Sequence, residues 1–284
     1  MRHYSVLVPK TFSRPLIAIF AVTALLAIAG CGSTSEKSKE VEYVDRPVEE
    51  LYNTAVDAAL GGNFRDAAPL FDEVERQHPY SVWATQAQLM AAYALYQSNQ
   101  YDDAVNALDR FIQLNPSNAN VDYAYYLKGL AFYEQIVDVG RDQKLTRDAL
   151  DTFNEVIKRF PRSKFARDAR LKIDLARNHL AGKEMEIGRF YLTRGQYLAA
   201  VNRFRSVIHD FDTTEQVPEA LHRLTEAYLA LGLSEEAAKT AAVLGHNYPG
   251  SQWYQDSYAL MITGQPYRAG EDDKGLLGLG LWVF

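Results

Sequence analysis

The sequence holds a single cysteine, Cys31, among 284 residues. That excludes an intrachain disulfide framework and any cysteine-rich metal site. An excess of positive charge is missing too: 30 Lys and Arg stand against 36 Asp and Glu, a formal charge of -6. Arg2, Lys10 and Arg14 fall in the first thirty residues, which hold no acid, so the rest of the chain is more acidic still. Nonspecific nucleic-acid binding wants a basic face, and this balance disfavours it while leaving room for a local basic patch. Catalytic spacings are lacking. The histidines His3, His78, His179, His209, His222 and His246 form no HExxH or paired ligand spacing, and no glycine loop is followed by Lys-Ser/Thr. The expectation is a protein that is not an enzyme and has no metal or cofactor beyond a covalent lipid on Cys31.

The cysteine has a specific setting. After the basic start, Leu16 to Ala29 reads LIAIFAVTALLAIA, fourteen uncharged residues. A membrane span needs roughly 20, and a signal-peptide core is shorter. The run leads into Ile28-Ala29-Gly30-Cys31, which resembles a bacterial lipoprotein signal; an ordinary secretory cleavage site is the alternative. The expectation is a signal peptide over residues 1–30, acylation of Cys31, and a polar tether over 31–46. Buried acyl chains, at roughly 0.8 kcal/mol per methylene, make a durable anchor. Gly32, where an Asp would be the exception, resembles the outer-membrane default of lipoprotein sorting.

What the chain has in plenty is one repeated pattern. In SNQYDDAVNALDRFIQLNPSN (residues 98–118), Ala104, Leu108 and Phe111 sit at i, i+4 and i+7 before Pro116. Ala67, Phe71 and Val74 precede Pro79 in the same way, and Ala149, Phe153 and Val156 precede Pro161. Ala200, Phe204 and Val207 precede Asp212; Ala237, Ala241 and Leu244 precede Pro249. Eight residues after each stop comes a small residue: Ala87, Ala124, Ala169, Ala220 and Ser257. A lone helix cannot bury such a stripe, so the units must stack. The spacing of 37 residues, from Pro79 to Pro116 and from Asp212 to Pro249, is close to the tetratricopeptide (TPR) period of 34. The expected fold is all-α, a TPR-like helical-hairpin solenoid of about five repeats over 47–260, ending near 79, 116, 161, 212 and 249. Pro47 suits a first helical position.

Two intervals run long. Pro116 to Pro161 carries eight extra residues, and DVGRDQKL (138–145) reads as an exposed loop between the two helices of the third unit. Pro161 to Asp212 carries fourteen extra, about four turns at 3.6 residues each. Ala169, Ile173, Ala176, Leu180, Ile187 and Tyr191 hold one phase through them, which predicts a single helix over about 166–193. A break at Gly182 is the alternative. Tyr93, Tyr96, Tyr125, Tyr126 and Tyr133 gather on the first helices of repeats two and three, giving ring area and hydroxyls suited to an extended peptide; packing between repeats accounts for about half of them. Residues 261–284 form a tail ending GLLGLGLWVF, which should dock on the solenoid, a partner or the membrane.

Order and spacing over residues 47 to 260 resemble the BamD family, lipoproteins of the outer-membrane β-barrel assembly machinery. The resemblance is carried by LDRFIQLNPSNANVDYAYYLKGL (108–130) with its following insertion, and by LAGKEMEIGRFYLTRGQYLAAVNRFRSVIHDF (180–211). It implies an adaptor on the periplasmic face of the outer membrane, held by its lipid anchor. The partners it implies are the barrel-forming assembly subunit, through a POTRA domain, together with accessory assembly lipoproteins and the terminal signals of unfolded outer-membrane proteins. By match of the AAVNR stretch it places Arg203 against the POTRA domain; for the client-peptide groove it points to Tyr93 and Tyr96. The tail resembles a client's own terminal signal and is expected to be able to occupy that groove. A different envelope TPR lipoprotein, scaffolding cell-wall synthesis, division or pilus assembly, is the alternative function.

Overall fold

A computed structural model describes residues 46–263. Cys31, the signal peptide, most of the tether and the apolar tail lie outside the described residues. Within them the chain is helix after helix, with no strand: α1 (Val48–Leu60), α2 (Phe64–Gln77), α3 (Val82–Gln97), α4 (Tyr101–Leu114), α5 (Val121–Tyr133), α6 (Lys144–Arg159), α7 (Phe165–Thr193), α8 (Tyr197–Asp210), α9 (Val217–Ala230), α10 (Ser234–Asn247) and α11 (Gln252–Thr263). They pair as five antiparallel hairpins, α1–α2 to α9–α10, with α11 closing the last. Pro47 stands one residue before α1 and caps it, a position earlier than the sequence suggests.

The repeated stripe is what each hairpin buries. Phe71, Phe111, Phe153 and Phe204 have no exposed surface, and neither do the alanines four or seven residues before them: Ala67, Ala104, Ala149 and Ala200. The small residues after each stop, Ala87, Ala124, Ala169, Ala220 and Ser257, are equally closed off. Smallness matters because a second helix must lie directly on them. In the fifth repeat, where Ala241 takes the aromatic position, that residue is only partly buried and Leu244 fills the core with Val217 and Leu221.

Both kinds of turn are explained by backbone chemistry. Inside four hairpins the chain reverses through a left-handed residue: Gly62, Asn99, Gly195 and Gly232, with φ of 77°, 60°, 70° and 76°. The next residue's N–H then reaches back five positions, as in Asn63 N to Ala58 O (2.9 Å) and Leu233 N to Tyr228 O (2.8 Å), closing the helix end as a Schellman turn does. Between hairpins, α2, α4, α6, α8 and α10 all end two residues before their stop; in four of the five the stop is Pro, which cannot continue a helix, and after α8 it is Asp212.

The two long intervals meet in space. α7 is one continuous helix of 29 residues through Gly182, so the break there does not occur. The inserted loop spans residues 134–143, since Lys144 and Leu145 already belong to α6. It is largely exposed, as expected, but built around buried Gln143, whose amide donates to the carbonyls of Asp138, Val139 and Arg141 at 3.4, 3.3 and 3.1 Å. Val139 leans on Gly182, where an added Cβ would lie 3.2 Å from its methyl, and Lys183 Nζ donates to Gly140 O at 2.8 Å. The extra turns of α7 are the shelf on which the loop rests.

Successive first helices pack on one another, α1 with α3, α3 with α5, α5 with α7 and α7 with α9, whereas second helices stand further apart and are bridged by long side chains, as where Arg110 of α4 reaches Glu75 of α2 at 3.3 Å. The first helices thus form one continuous face, and the tyrosines belong to them.

Candidate functional site

The tyrosine face lies where α3, α5 and α7 run side by side. Tyr93 packs edge-on against Phe64 (6.0 Å between centroids) and its hydroxyl accepts from Gln97 Nε2 at 2.9 Å. Tyr96 packs on Tyr101 at 5.7 Å. Both are half-buried against the core of Leu89, Ala92, Leu108, Phe111, Ala124 and Leu127. Tyr126 stacks on Phe165 of α7 at 5.0 Å and 18°, and donates to Asp168 Oδ2 at 2.6 Å. Burial, then the nearby Glu134 carboxylate, pushes the Tyr96 phenol up to about 12. Tyr123 is pushed up to about 12 by burial and by Tyr93 and Tyr96, so these phenols share one neighbourhood. Burial and the bond to Asp168 raise Tyr126 further. The raised phenols of Tyr96, Tyr123 and Tyr126 keep their protons at neutral pH, so the row presents aromatic surface with hydroxyl donors and acceptors.

The sequence missed Tyr123 and did not separate the others. Tyr125 turns away, packing on Phe160 at 5.6 Å beneath the Arg159 guanidinium. Tyr133 packs against Phe153 at 6.4 Å under Lys172 Nζ, and borders a cavity of about 330 Å³ with Glu134, Ile136, Leu175 and His179. Helical phase carries the signal that could have sorted them, since Tyr123 and Tyr126 are one turn apart and share a face.

A second region lies toward the last repeats. Arg203 on α8 is 42% exposed and paired at 3.0 Å with Glu184 of α7. Beyond it, Arg189 of α7 holds both oxygens of Glu219 on α9, at 3.0 and 3.1 Å. Arg223 reaches Glu219 (3.4 Å) and Glu226 (2.8 Å) and lies over the Trp253 ring at 5.3 Å. His222, fully buried, shares a 2.7 Å bond with Ser257 of α11. Burial, despite Arg223, pushes the Glu226 carboxyl up to about 7, and burial with Arg223 pushes His222 down to about 3. Only Arg203 of this series was legible beforehand, and then from the family pattern; its pair with Glu184 and the Arg189–Glu219 pair join residues distant in sequence, whereas Arg223 pairs within its own helix. Of the helix-end histidines, His78 Nε2 lies 2.7 Å from the carbonyl of Arg46, at the other end of its hairpin in sequence, and His209 Nδ1 lies 2.8 Å from Oδ1 of its neighbour Asp210. Among the described residues no group of His, Cys, Asp or Glu is arranged to hold a metal ion.

An array of helical hairpins with a shared face of first helices, a half-buried aromatic row and charged pairs at one end defines a TPR-like scaffold. The profile of the family described as outer membrane lipoprotein, YfiO, matches residues 44–244. Several relatives carry the name outer membrane protein assembly factor BamD. The protein of Caulobacter vibrioides is 51% identical over 248 residues, covering 87% of this chain and 81% of that one. That of Rickettsia prowazekii is 45% identical, covering 83% and 92%, and that of Neisseria meningitidis serogroup A is 36% identical, covering 82% and 91%. The chain belongs to the BamD family of outer membrane lipoproteins. Among solved structures, the TPR domain of P58(IPK) aligns over 77% of this chain and 66% of its own, at 15% identity and a TM-score of 0.40; the fold assignment rests on the hairpins themselves.

Proposed function

We propose that this chain is an adaptor of outer-membrane protein assembly, anchored by a lipid on Cys31 and acting by binding. The observation that carries the reading is the family match across nearly the whole hairpin array, with relatives named as assembly factors. The first-helix face supports the client side of the role. Tyr93 and Tyr96, joined by Tyr123 and Tyr126, offer flat apolar rings with hydroxyls at their tips, chemistry that suits the aromatic-ended terminal signal of an unfolded barrel protein. The far end supports the partner side. Arg203 is half-exposed with its charge already oriented by Glu184, so a carboxylate on a POTRA domain could share it at small entropic cost. Accessory assembly lipoproteins complete the set of partners, and no catalytic step is assigned to the chain.

The test is a detergent pulldown of the tagged protein with Arg203→Ala, Arg203→Glu and Glu184→Ala in parallel, partners identified by mass spectrometry. A POTRA-bearing barrel should dominate the parent sample, fall away with both Arg203 variants and persist with Glu184→Ala. A cell-wall enzyme or pilus secretin in its place would overturn the role. Equal loss in Glu184→Ala would make the pair a structural brace and move the contact elsewhere. The anchor is checked separately: a clickable palmitate analogue should label the parent and not Cys31→Ser.

A further inference from the structure

The point at which the tether joins the folded body is fixed. The Arg46 N–H donates to Gln77 Oε1 at 3.2 Å, and its carbonyl pairs with His78 Nε2 at 2.7 Å. Residue 46 is therefore pinned at the end of α2, where the chain turns into α3. In an antiparallel array the turns alternate between two edges, so every turn from one hairpin to the next lies on this same edge. The residues just past each stop are equivalent along it: Tyr80, Ser117, Arg162, Thr213 and Gly250.

Two features of this edge have no structural explanation. Tyr80 is 101% exposed and Val82 is 85% exposed, large apolar groups with nothing packed against them. Two turns along, Lys158, Arg159, Arg162, Lys164, Arg167 and Arg170 are all exposed. Among the described residues only Arg159 of the six has a carboxylate within salt-bridge range, Glu155. In a chain with a net charge of -6 this is a local reversal of sign.

We infer that this edge rests on a bilayer containing anionic phospholipid, with Tyr80 and Val82 entering the headgroup region and the basic cluster around Arg162 facing the phosphates. Exposed rings and clustered cations are the pairing that interfacial attachment uses. The acidic remainder of the chain is repelled by the same surface, which imposes one orientation. The orientation also fits the proposed anchor on Cys31: fifteen residues span at most about 50 Å when extended, and Arg46, which follows them, lies on this edge. An acidic protein segment would satisfy the cations and leave Tyr80 and Val82 unexplained, so the lipid surface is favoured.

The experiment uses the chain from residue 31 onward with Cys31→Ser, which carries no acyl group, so the surface is tested apart from the anchor. Flotation is measured with vesicles of phosphatidylcholine alone and of phosphatidylcholine with one quarter phosphatidylglycerol. Binding is expected to the anionic vesicles, at least fivefold above the neutral ones, and to be lost in high salt. Arg162→Glu with Lys164→Glu should cut it at least fivefold, and Tyr80→Ser with Val82→Ser should cut it at unchanged charge; circular dichroism confirms that both variants are folded. Equal binding to both vesicles, no binding at low salt, or indifference to either pair of substitutions overturns the inference. Capture of labelled poly-glutamate in place of vesicles would assign the patch to an acidic protein segment and also overturn it. Failed palmitate labelling alongside intact vesicle binding would remove the anchor and leave this surface standing.

Discussion

At Gly188 and Gly129 the missing side chain is what lets two helices meet. A Cβ built on Gly188 would fall 2.4 Å from the Phe204 ring, and one on Gly129 would fall 2.6 Å from Phe153. Gly188→Ala gains helix propensity of about 1 kcal/mol, but both partners are closed in, so overpacking of about 1–3 kcal/mol should win. Urea unfolding should show a net loss for Gly188→Ala, largely relieved when Phe204→Leu is added. A neutral single variant would mean that the ring has room to move. A second residue-scale expectation concerns pH. Glu226 titrates higher in the folded protein, about 7, than the 4.5 of an unperturbed carboxyl. The folded state therefore holds its proton more tightly, and the stability that follows is full below about pH 4.5 and lost as pH rises through 7. Buried His222, lowered from 6.5 to about 3, runs the other way, losing stability as pH falls below 6.5. Glu226→Gln cannot ionise, so its stability relative to the parent should climb between pH 5 and pH 8. Parallel urea midpoints across that range would show that Glu226 is not buried in the way described.

Elements were legible to the extent that they are local. The second helices announce themselves through a stripe and a stop, and each ends two residues before the predicted residue because the proline or its substitute acts on the preceding turn. The long helix was readable because fourteen added residues preserve phase. What was hidden depends on contacts between residues far apart: Val139 on Gly182, Tyr126 on Asp168, Arg203 on Glu184. No periodicity encodes these. The turns offer a test at this scale. Asn99 is the one non-glycine among the four left-handed turn residues, tolerated because Asn accepts that region. Asn99→Val should cost about 1–2 kcal/mol, whereas Asn99→Gly should be neutral or slightly stabilising, both read from thermal unfolding. The loop gives another: Gln143→Ala removes the amide that gathers three carbonyls, so amide exchange across 138–143 should quicken while exchange in α1–α4 stays as it was.

For the whole molecule, what counts is that each hairpin leans only on its neighbours. α11 closes the series: Trp253 and Tyr254 cover Val217, Leu221 and Leu244, and Ser257 satisfies His222. Truncation after Ser251 should therefore loosen α9 and α10 and leave the first three hairpins protected, as seen by hydrogen exchange. Uniform loosening would show the array to be one cooperative block. The architecture and the family were legible at this scale because repetition is itself a signal. The membrane-facing edge was not, since it becomes visible only when residues one period apart are placed in a row. The contact pattern also has a mechanical meaning. First helices pack closely along the whole series while second helices are bridged only by long side chains, so the array is a leaf spring with one stiffer side. A pull on the hairpins near Arg203 would be carried along that side to the tyrosines, changing the spacing of α3, α5 and α7 by bending. Two proteins bound at those two places would then feel each other as load.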